Sequence, residues 1–465
     1  MSGALNTNTN DQNVPVGVSL LYMILMIEVI PTVIGMVGDF FCTRFLREDE
    51  LAVLGLTGSV DTIITAFTAI LAIGAQVVCS KDVGAGNRRE ASLNYTAQVI
   101  MAAAVMLSLA AVICILRYPI ADLIGAAEGE LDLTESTATA IMLFGLAEPG
   151  SAFLYILYLL MFMEDKTRRG IIYATVINFL FNLMGEIAVT LIAPTMVAYL
   201  ICGVIGNWAT VLFLIIYKNK KTEFFIFRPG EFSLKRCFRL FSIGLPGGLE
   251  YVYAAAFEFV IYHIIISRFS YIYLVVFEIE DDIGVITEVL VISMCTILVD
   301  RFGKAYGSGN KQLLHKEVKY SWIICILSAV VIALIMAVCY PLLVDLFMGD
   351  NGENTAEIIR HSGIYLICDC IALPFYVANN LFGSIYEVKE MLAHIHLNYF
   401  IEMFGFVTLF SIVLSGVFGV TGFWYALPAA EIATFIVNLI LVSVHNKRLP
   451  KHWSDLEFPN CQAEE

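Results

Sequence analysis

Charge is scarce in this chain. Only 15% of its 465 residues are charged, against about a quarter in a soluble globular protein, while 59% are hydrophobic and the mean hydropathy is +0.80. No stretch between about Gly17 and Val444 is polar enough for a solvated domain. Positive charge is scarcer still: 27 bases against 42 acids leave a formal charge of −15, which excludes the basic footprint of a nucleic-acid binder. The eleven cysteines are odd in number and contain no CxxC pair, so neither a disulfide framework nor a zinc module is expected. They read as small buried apolar residues, Cys368 and Cys370 included. Met1 to Asn13 carries no Lys or Arg and therefore lacks the positive start of a cleavable signal peptide. There is no Walker loop, GxGxxG cradle or Ser–His–Asp grouping. His394 and His396 stand two apart, facing different sides of a helix, which disfavours a metal site. No enzyme and no cofactor are expected, and any work must draw on an ion gradient.

What the chain has instead is long apolar runs. A bilayer-spanning helix needs about 20 mostly apolar residues. Twelve segments qualify, near 17–43, 52–78, 92–117, 136–162, 169–191, 193–217, 240–267, 271–299, 320–347, 358–386, 391–415 and 418–444. The loops after the even-numbered segments, with the C-terminal tail, hold 22 of the 27 Lys and Arg. The positive-inside rule then puts both termini in the cytoplasm. The expected organisation is a tail at 1–16, a first lobe at 17–217, a cytoplasmic linker at 218–239, a second lobe at 240–444 and a tail at 445–465.

The halves repeat. Gly84-Ala85-Gly86-Asn87 follows segment two and Gly307-Ser308-Gly309-Asn310 follows segment eight. Pro149 in segment four pairs with Pro374 in segment ten, and Asn178 and Asn182 in segment five pair with Asn398 and Glu402 in segment eleven. An offset near 222 with six spans per half predicts a parallel repeat, a plan by which transporters build a central site between two bundles. The fold class expected is an all-α membrane protein of twelve helices in two pseudo-symmetric six-helix lobes.

Acids inside spans are costly and usually functional. In the first lobe these are Glu28, Asp39, Asp61, Glu148 and Glu186, beside Asn178 and Asn182. The two asparagines are one helical turn apart and share a face. With Asp39 they would offer hard oxygen ligands to Na⁺, or Asp39 alone would take a proton; a purely structural role, pairing helices by hydrogen bonds, is the alternative. Pro31 would kink segment one and is the candidate hinge. The second lobe is richer in acid, with Glu250, Glu258, Glu278, Glu280, Asp281, Asp282, Glu288, Asp369, Glu402 and Glu431. Of these, Glu250, Glu258, Glu278, Asp281, Asp282, Asp369 and Glu402 are the candidates for substrate or proton binding. Glu280 and Glu431 read as ordinary solvated acids of a water-filled crevice.

Together these features resemble the multidrug and toxic compound extrusion (MATE) transporters over roughly residues 20–445. Asp39 ends segment one sixteen residues before Gly55, with Leu51-Ala52 between, as in the family's first helix. The two Gly-x-Gly-Asn turns lie where the family has them. Glu164-Asp165-Lys166 precedes Asn178 as a short family turn precedes its asparagine. Gly419-Val420-Thr421-Gly422-Phe423-Trp424-Tyr425-Ala426-Leu427-Pro428 is similar to the last-helix signature. The resemblance implies a monomeric exporter of organic cations in the plasma (inner) membrane, exchanging them for H⁺ or Na⁺ by alternating access. It also implies a coupling-ion site at Asp39, Asn178 and Asn182, completed by a Thr from segment six. Leu200 stands at that position here, with Cys202 close by. In the second lobe the family's segment-seven carboxylate falls on Ala254, between Glu250 and Glu258. Two rivals remain on the same fold. One is a flippase for lipid-linked oligosaccharides, which would want bases where this chain has acids. The other is a receptor or channel without coupled transport.

Overall fold

The structure, a computed structural model, describes residues 30–127, 133–192, 194–270, 272–348, 355–451 and 455–456. Twelve long helices stand at the twelve apolar segments: α1 (Ile30–Phe45), α2 (Glu48–Gly84), α3 (Arg88–Ile115), α4 (Thr134–Phe162), α5 (Asp165–Ile192), α6 (Met196–Lys221), α7 (Leu234–Arg268), α8 (Ile272–Gly307), α9 (Lys311–Met348), α10 (Thr355–Val388), α11 (Leu392–Phe418) and α12 (Thr421–Asn446). Among the described residues, ten are long and apolar enough to cross a bilayer. In α1 and α8 several side chains lie outside the description. Helices satisfy every backbone group internally, which is why an apolar chain can cross lipid in this form. Prolines interrupt α4, α7, α9, α10 and α12 at Pro149, Pro246, Pro341, Pro374 and Pro428.

The repeated turns share one physical design. Gly86 and Gly309 both have φ +68°, a left-handed conformation that only glycine adopts without cost. The asparagine that follows then caps the next helix: Asn87 Oδ1 accepts from the Glu90 amide at 3.3 Å, and Asn310 Oδ1 from that of Leu313 at 3.0 Å. Asparagine is a favoured N-cap for this reason.

The chain forms two compact units, one ending at Gly248 and the other beginning at Leu249. In the first, the start of α7 lies hard against α2. A Cβ at Gly74 would collide with the Leu240 carbonyl, and one at Gly244 with the Ile70 carbonyl. Small residues let membrane helices approach this closely. Between α6 and α7 only Thr222–Ser233 is not α-helical, and this strap is pinned to its own unit. Ser92 Oγ donates to Phe224 O at 2.6 Å and Arg228 N to Thr96 Oγ1 at 2.9 Å. Lys218 Nζ, buried over the Tyr95 ring, donates to Phe225 O at 2.7 Å.

Ion pairs add to the strap. Glu223 pairs with Lys166 and, at 2.5 Å, with Arg88, while Arg89 meets Glu231 at 2.8 Å. The Lys166 contact, with Arg88, holds the Glu223 carboxyl below its ordinary value. Glu164 accepts from Thr222 Oγ1 at 2.7 Å and from the Glu223 amide. Burial nonetheless raises its carboxyl above the usual range.

The second unit has an aromatic core where α7, α8, α10 and α12 meet. Trp424 stacks on Tyr365 at 4.8 Å between ring centroids and donates to His361 Nδ1 at 3.2 Å. Phe277, Ile283, Leu366 and Phe423 close around them.

Candidate ion site in the first lobe

On α5, Asn178, Asn182 and Glu186 recur every four residues and so form one stripe. All three are buried. Two residues of α6, three apart, meet this stripe. Asn178 Nδ2 donates to Asn207 Oδ1 and to Thr210 Oγ1, both at 3.2 Å. Asn182 Nδ2 donates to Asn178 O at 2.9 Å and to Asn178 Oδ1 at 3.2 Å. The network continues onto α4, where Asn207 Nδ2 donates to Ser151 Oγ at 2.9 Å, and Ser151 Oγ to Glu148 Oε1 at 3.5 Å. Gly206 makes room for this: a Cβ there would stand 3.1 Å from Asn182 Nδ2.

Of these groups, Asn178, Asn182, Glu186, Asn207 and Ser151 line a cavity of about 390 Å³, shared with Tyr155 and Tyr158 of α4 and with Gly35 and Gly38 of α1. Gly38 lies against the Glu186 carboxylate, since a Cβ there would be 3.3 Å from Glu186 Oε1. Gly38 precedes Asp39, so α1 brings that residue's backbone to the rim of the cavity. The side chains of Asp39 and Pro31 are outside the description, and Glu28 lies outside the described residues. The cavity gathers carboxylate, amide, hydroxyl and phenol oxygens, the hard donors that suit a small cation. Among the described residues, no Lys or Arg lines it.

The other candidates are distributed as follows. Glu250 on α7 and Asp369 on α10 are half-buried, Glu258 on α7 is exposed, and Glu402 on α11 is buried. Glu278, Asp281 and Asp282 lie on α8 with side chains outside the description. Glu280 and Glu431, expected as solvated acids, are instead buried, at 6% and 5% exposure. Helix packing covers them, and Glu431 accepts from Asn379 Nδ2 at 2.8 Å.

Sequence reasoning named Glu186 among the intramembrane acids without assigning it to the ion site, and did not single out Asn207, Thr210 or Ser151. The four-residue spacing already placed Glu186 on the Asn178 face. Asn207 and Thr210 are three apart, but nothing in a single helix says which neighbour such a pair will meet. Thr210 is also a segment-six threonine, ten residues beyond Leu200, the position the resemblance pointed to. Leu200 packs with Leu46, Val53 and Tyr199.

Comparison with known proteins bears on the family and the fold. The MatE family model matches residues 24–188 and 252–395. A search of curated proteins finds no match. Among solved structures, a MOP superfamily transporter from Pyrococcus furiosus is similar at 17% identity, over 91% of this chain and 93% of that one, with a TM-score of 0.77. A MATE transporter from Vibrio cholerae is similar at 15% identity, over 91% and 93%, with a TM-score of 0.80. An outward-facing multidrug resistance MATE family transporter gives 16% identity, 92% and 95% coverage and a TM-score of 0.77.

Proposed function

The chain belongs to the MatE family of membrane transporters, and from that premise we propose that it expels organic cations from the cytoplasm in exchange for H⁺ or Na⁺. The observation that carries the reading is the stripe of Asn178, Asn182 and Glu186 facing a base-free cavity beside Gly38 and hence beside Asp39. Asp39, Asn178 and Asn182 would take the coupling ion, with Glu186 and Thr210 supporting them. Loading would bend α1 near Pro31 and lower the affinity for cargo, and linkage requires cargo to weaken ion binding by the same factor. Acids of the second lobe, among them Glu250, Glu258 and Asp369, would attract cationic cargo. Glu278, Asp281 and Asp282 add to that charge along the sequence. Both termini would face the cytoplasm, from the distribution of Lys and Arg, with a monomer in the plasma or inner membrane as the working unit. A lipid-linked cargo bearing pyrophosphate fits poorly, because the spans offer acids where it would need bases.

The test is uptake of a fluorescent organic cation into inside-out proteoliposomes under an imposed H⁺ or Na⁺ gradient. Gradient-driven transport lost in Asp39→Asn is the expected result. Transport indifferent to both gradients, by correctly oriented protein, would overturn the reading.

A further inference from the structure

The strap between α6 and α7 is where this acidic chain concentrates its bases. Residues 218–239 hold seven of them against two acids, Glu223 and Glu231, in a chain whose formal charge is −15. Both acids are already engaged, Glu223 by Arg88 and Lys166 and Glu231 by Arg89. Lys220, Lys221 and Lys235 are exposed and make no ion pair among the described residues. The same stretch exposes large apolar side chains. Ile226, Phe227 and Phe232 of the strap, with Leu234 and Phe238 in the first turns of α7, are 43% to 67% exposed. Phe225, by contrast, is fully buried against the Tyr95 ring.

The level of the strap relative to a bilayer follows from α3. That helix starts at Arg88, and its apolar run begins near Ser92. Phe224 is bonded at Ser92 and Arg228 at Thr96. Between those two contacts the strap descends about 6 Å along the helix axis, past the start of the apolar run. It then turns at Pro229–Glu231, and the Arg89–Glu231 pair returns it to the first turn of α3. Ala91 to Gln98 of α3 are all buried, so over these two turns the outward surface belongs to the strap.

An irregular segment is tolerated at such a level only where protein answers its polar backbone. Here the amides of Phe225, Ile226 and Arg228 donate to the hydroxyls of Thr222, Ser92 and Thr96. The carbonyls of Phe224 and Phe225 accept from Ser92 and Lys218. On α6, Leu212, Ile216 and Lys220 recur every four residues as one exposed stripe. Acyl chains cover such an apolar stripe on a spanning helix, which puts Lys220 where the stripe reaches the headgroups. Long basic side chains suit that level, with the stem in the apolar layer and the charge in water.

We propose that the strap is an interfacial docking surface for anionic phospholipid. Its five exposed apolar side chains enter the acyl boundary, and Lys220, Lys221 and Lys235 hold phosphodiester headgroups. Aromatic side chains favour that boundary, and binding of a basic, partly apolar interfacial segment grows with buried apolar area and with anionic lipid. A soluble protein would need a surface clear of the bilayer, whereas the strap descends past the start of the apolar run. The leaflet is the cytoplasmic one in the orientation proposed above. The binding itself does not depend on the antiport reading.

The test uses full-length protein carrying F232W in nanodiscs of phosphatidylcholine and phosphatidylglycerol, one or the other brominated on its acyl chains. The parent protein, with its own four tryptophans, is measured in parallel, and the difference reports the introduced indole. F227W gives a second, independent reporter. The expected result is quenching by both lipids, with phosphatidylglycerol preferred about fivefold in relative association, the effect of roughly one base near a headgroup. That preference should vanish in about 0.5 M NaCl, where screening is strong. It should also vanish when K220Q, K221Q and K235Q are combined, with quenching by both lipids retained. Equal quenching by the two lipids at low salt would overturn the anionic recognition. Quenching by neither would overturn the docking surface, leaving the strap in water or under a protein. The preference is read with the lysines intact, so a misfolded triple variant leaves the test standing. Lipid preference without coupled export would refute the antiport reading alone, and export without lipid preference would refute this proposal alone.

Discussion

The two lobes solve the same problem with different chemistry. At matching repeat positions the first lobe has Asn182 and Thr210, and the second has Glu402 and Glu431. The first therefore gathers amide, hydroxyl and phenol donors around one carboxylate, Glu186, in an open cavity. The second buries two acids in an amide network, where Asn398 donates to Glu402, Asn379 to Glu431 and Asn438 to both asparagines. A cavity of mostly neutral donors with one carboxylate can change occupant by exchanging ligands or water. A buried pair of carboxylates has to balance its own charge, which ties it to electrostatics rather than to fit. Duplication here preserved positions and turns while the side chains diverged.

Mutation can break or sharpen this contrast. The largest expected effect is that of Asp39→Asn, which should reduce gradient-driven export to the level of empty vesicles, by the proteoliposome assay. Next, Glu402→Asn gives the second lobe an amide like that of the first. It should remove one of the two buried carboxyls of that network and so weaken the pH dependence of the thermal unfolding midpoint. Thr210→Val removes the hydroxyl that accepts from Asn178. Loss of that bond costs about 1 kcal/mol, expected as a roughly fivefold higher half-saturating concentration of the coupling ion with little change in maximal rate.

The smallest effect belongs to the strap. Glu223→Gln breaks partly exposed ion pairs with Arg88 and Lys166, worth at most about 1 kcal/mol. Because Glu223 sits below its ordinary value when folded, its contribution is fully present above the unfolded value of about 4.3. It is lost as pH falls through the lower folded value. The protection factors of the Thr222–Phe225 amides, with the intrinsic exchange rate divided out, should therefore fall with acid in the native protein, and Glu223→Gln should remove that acid dependence. An unchanged profile would show that the backbone hydrogen bonds alone hold the strap.

How much of this was legible in the sequence follows from the physics of each element. Apolar runs of spanning length can do little but form helices in lipid, so all twelve were readable. The Gly-Asn turns were readable because only glycine takes φ +68° and asparagine caps well. Asn178 and Asn182 announced a shared face through their spacing. Partnership between helices was not legible. Thr210 and Asn207 acquire meaning only when α6 is laid against α5, and Glu431 looked like a solvated acid until Asn379 was seen to meet it. A periodicity specifies which way a side chain faces on its own helix; packing alone decides what it finds there.

The strap has one more consequence, for the order in which the protein is made. Outside the strap itself, the partners of Thr222, Glu223, Phe224 and Arg228 — Arg88, Ser92, Thr96, Glu164, Lys166 and Lys218 — all precede them in the chain. Synthesis runs from the N-terminus, and early parts of a chain can fold before later ones emerge. The strap can therefore close over the first six helices before Leu249 and everything after it has been translated, so that the first half is fastened by contacts it already owns.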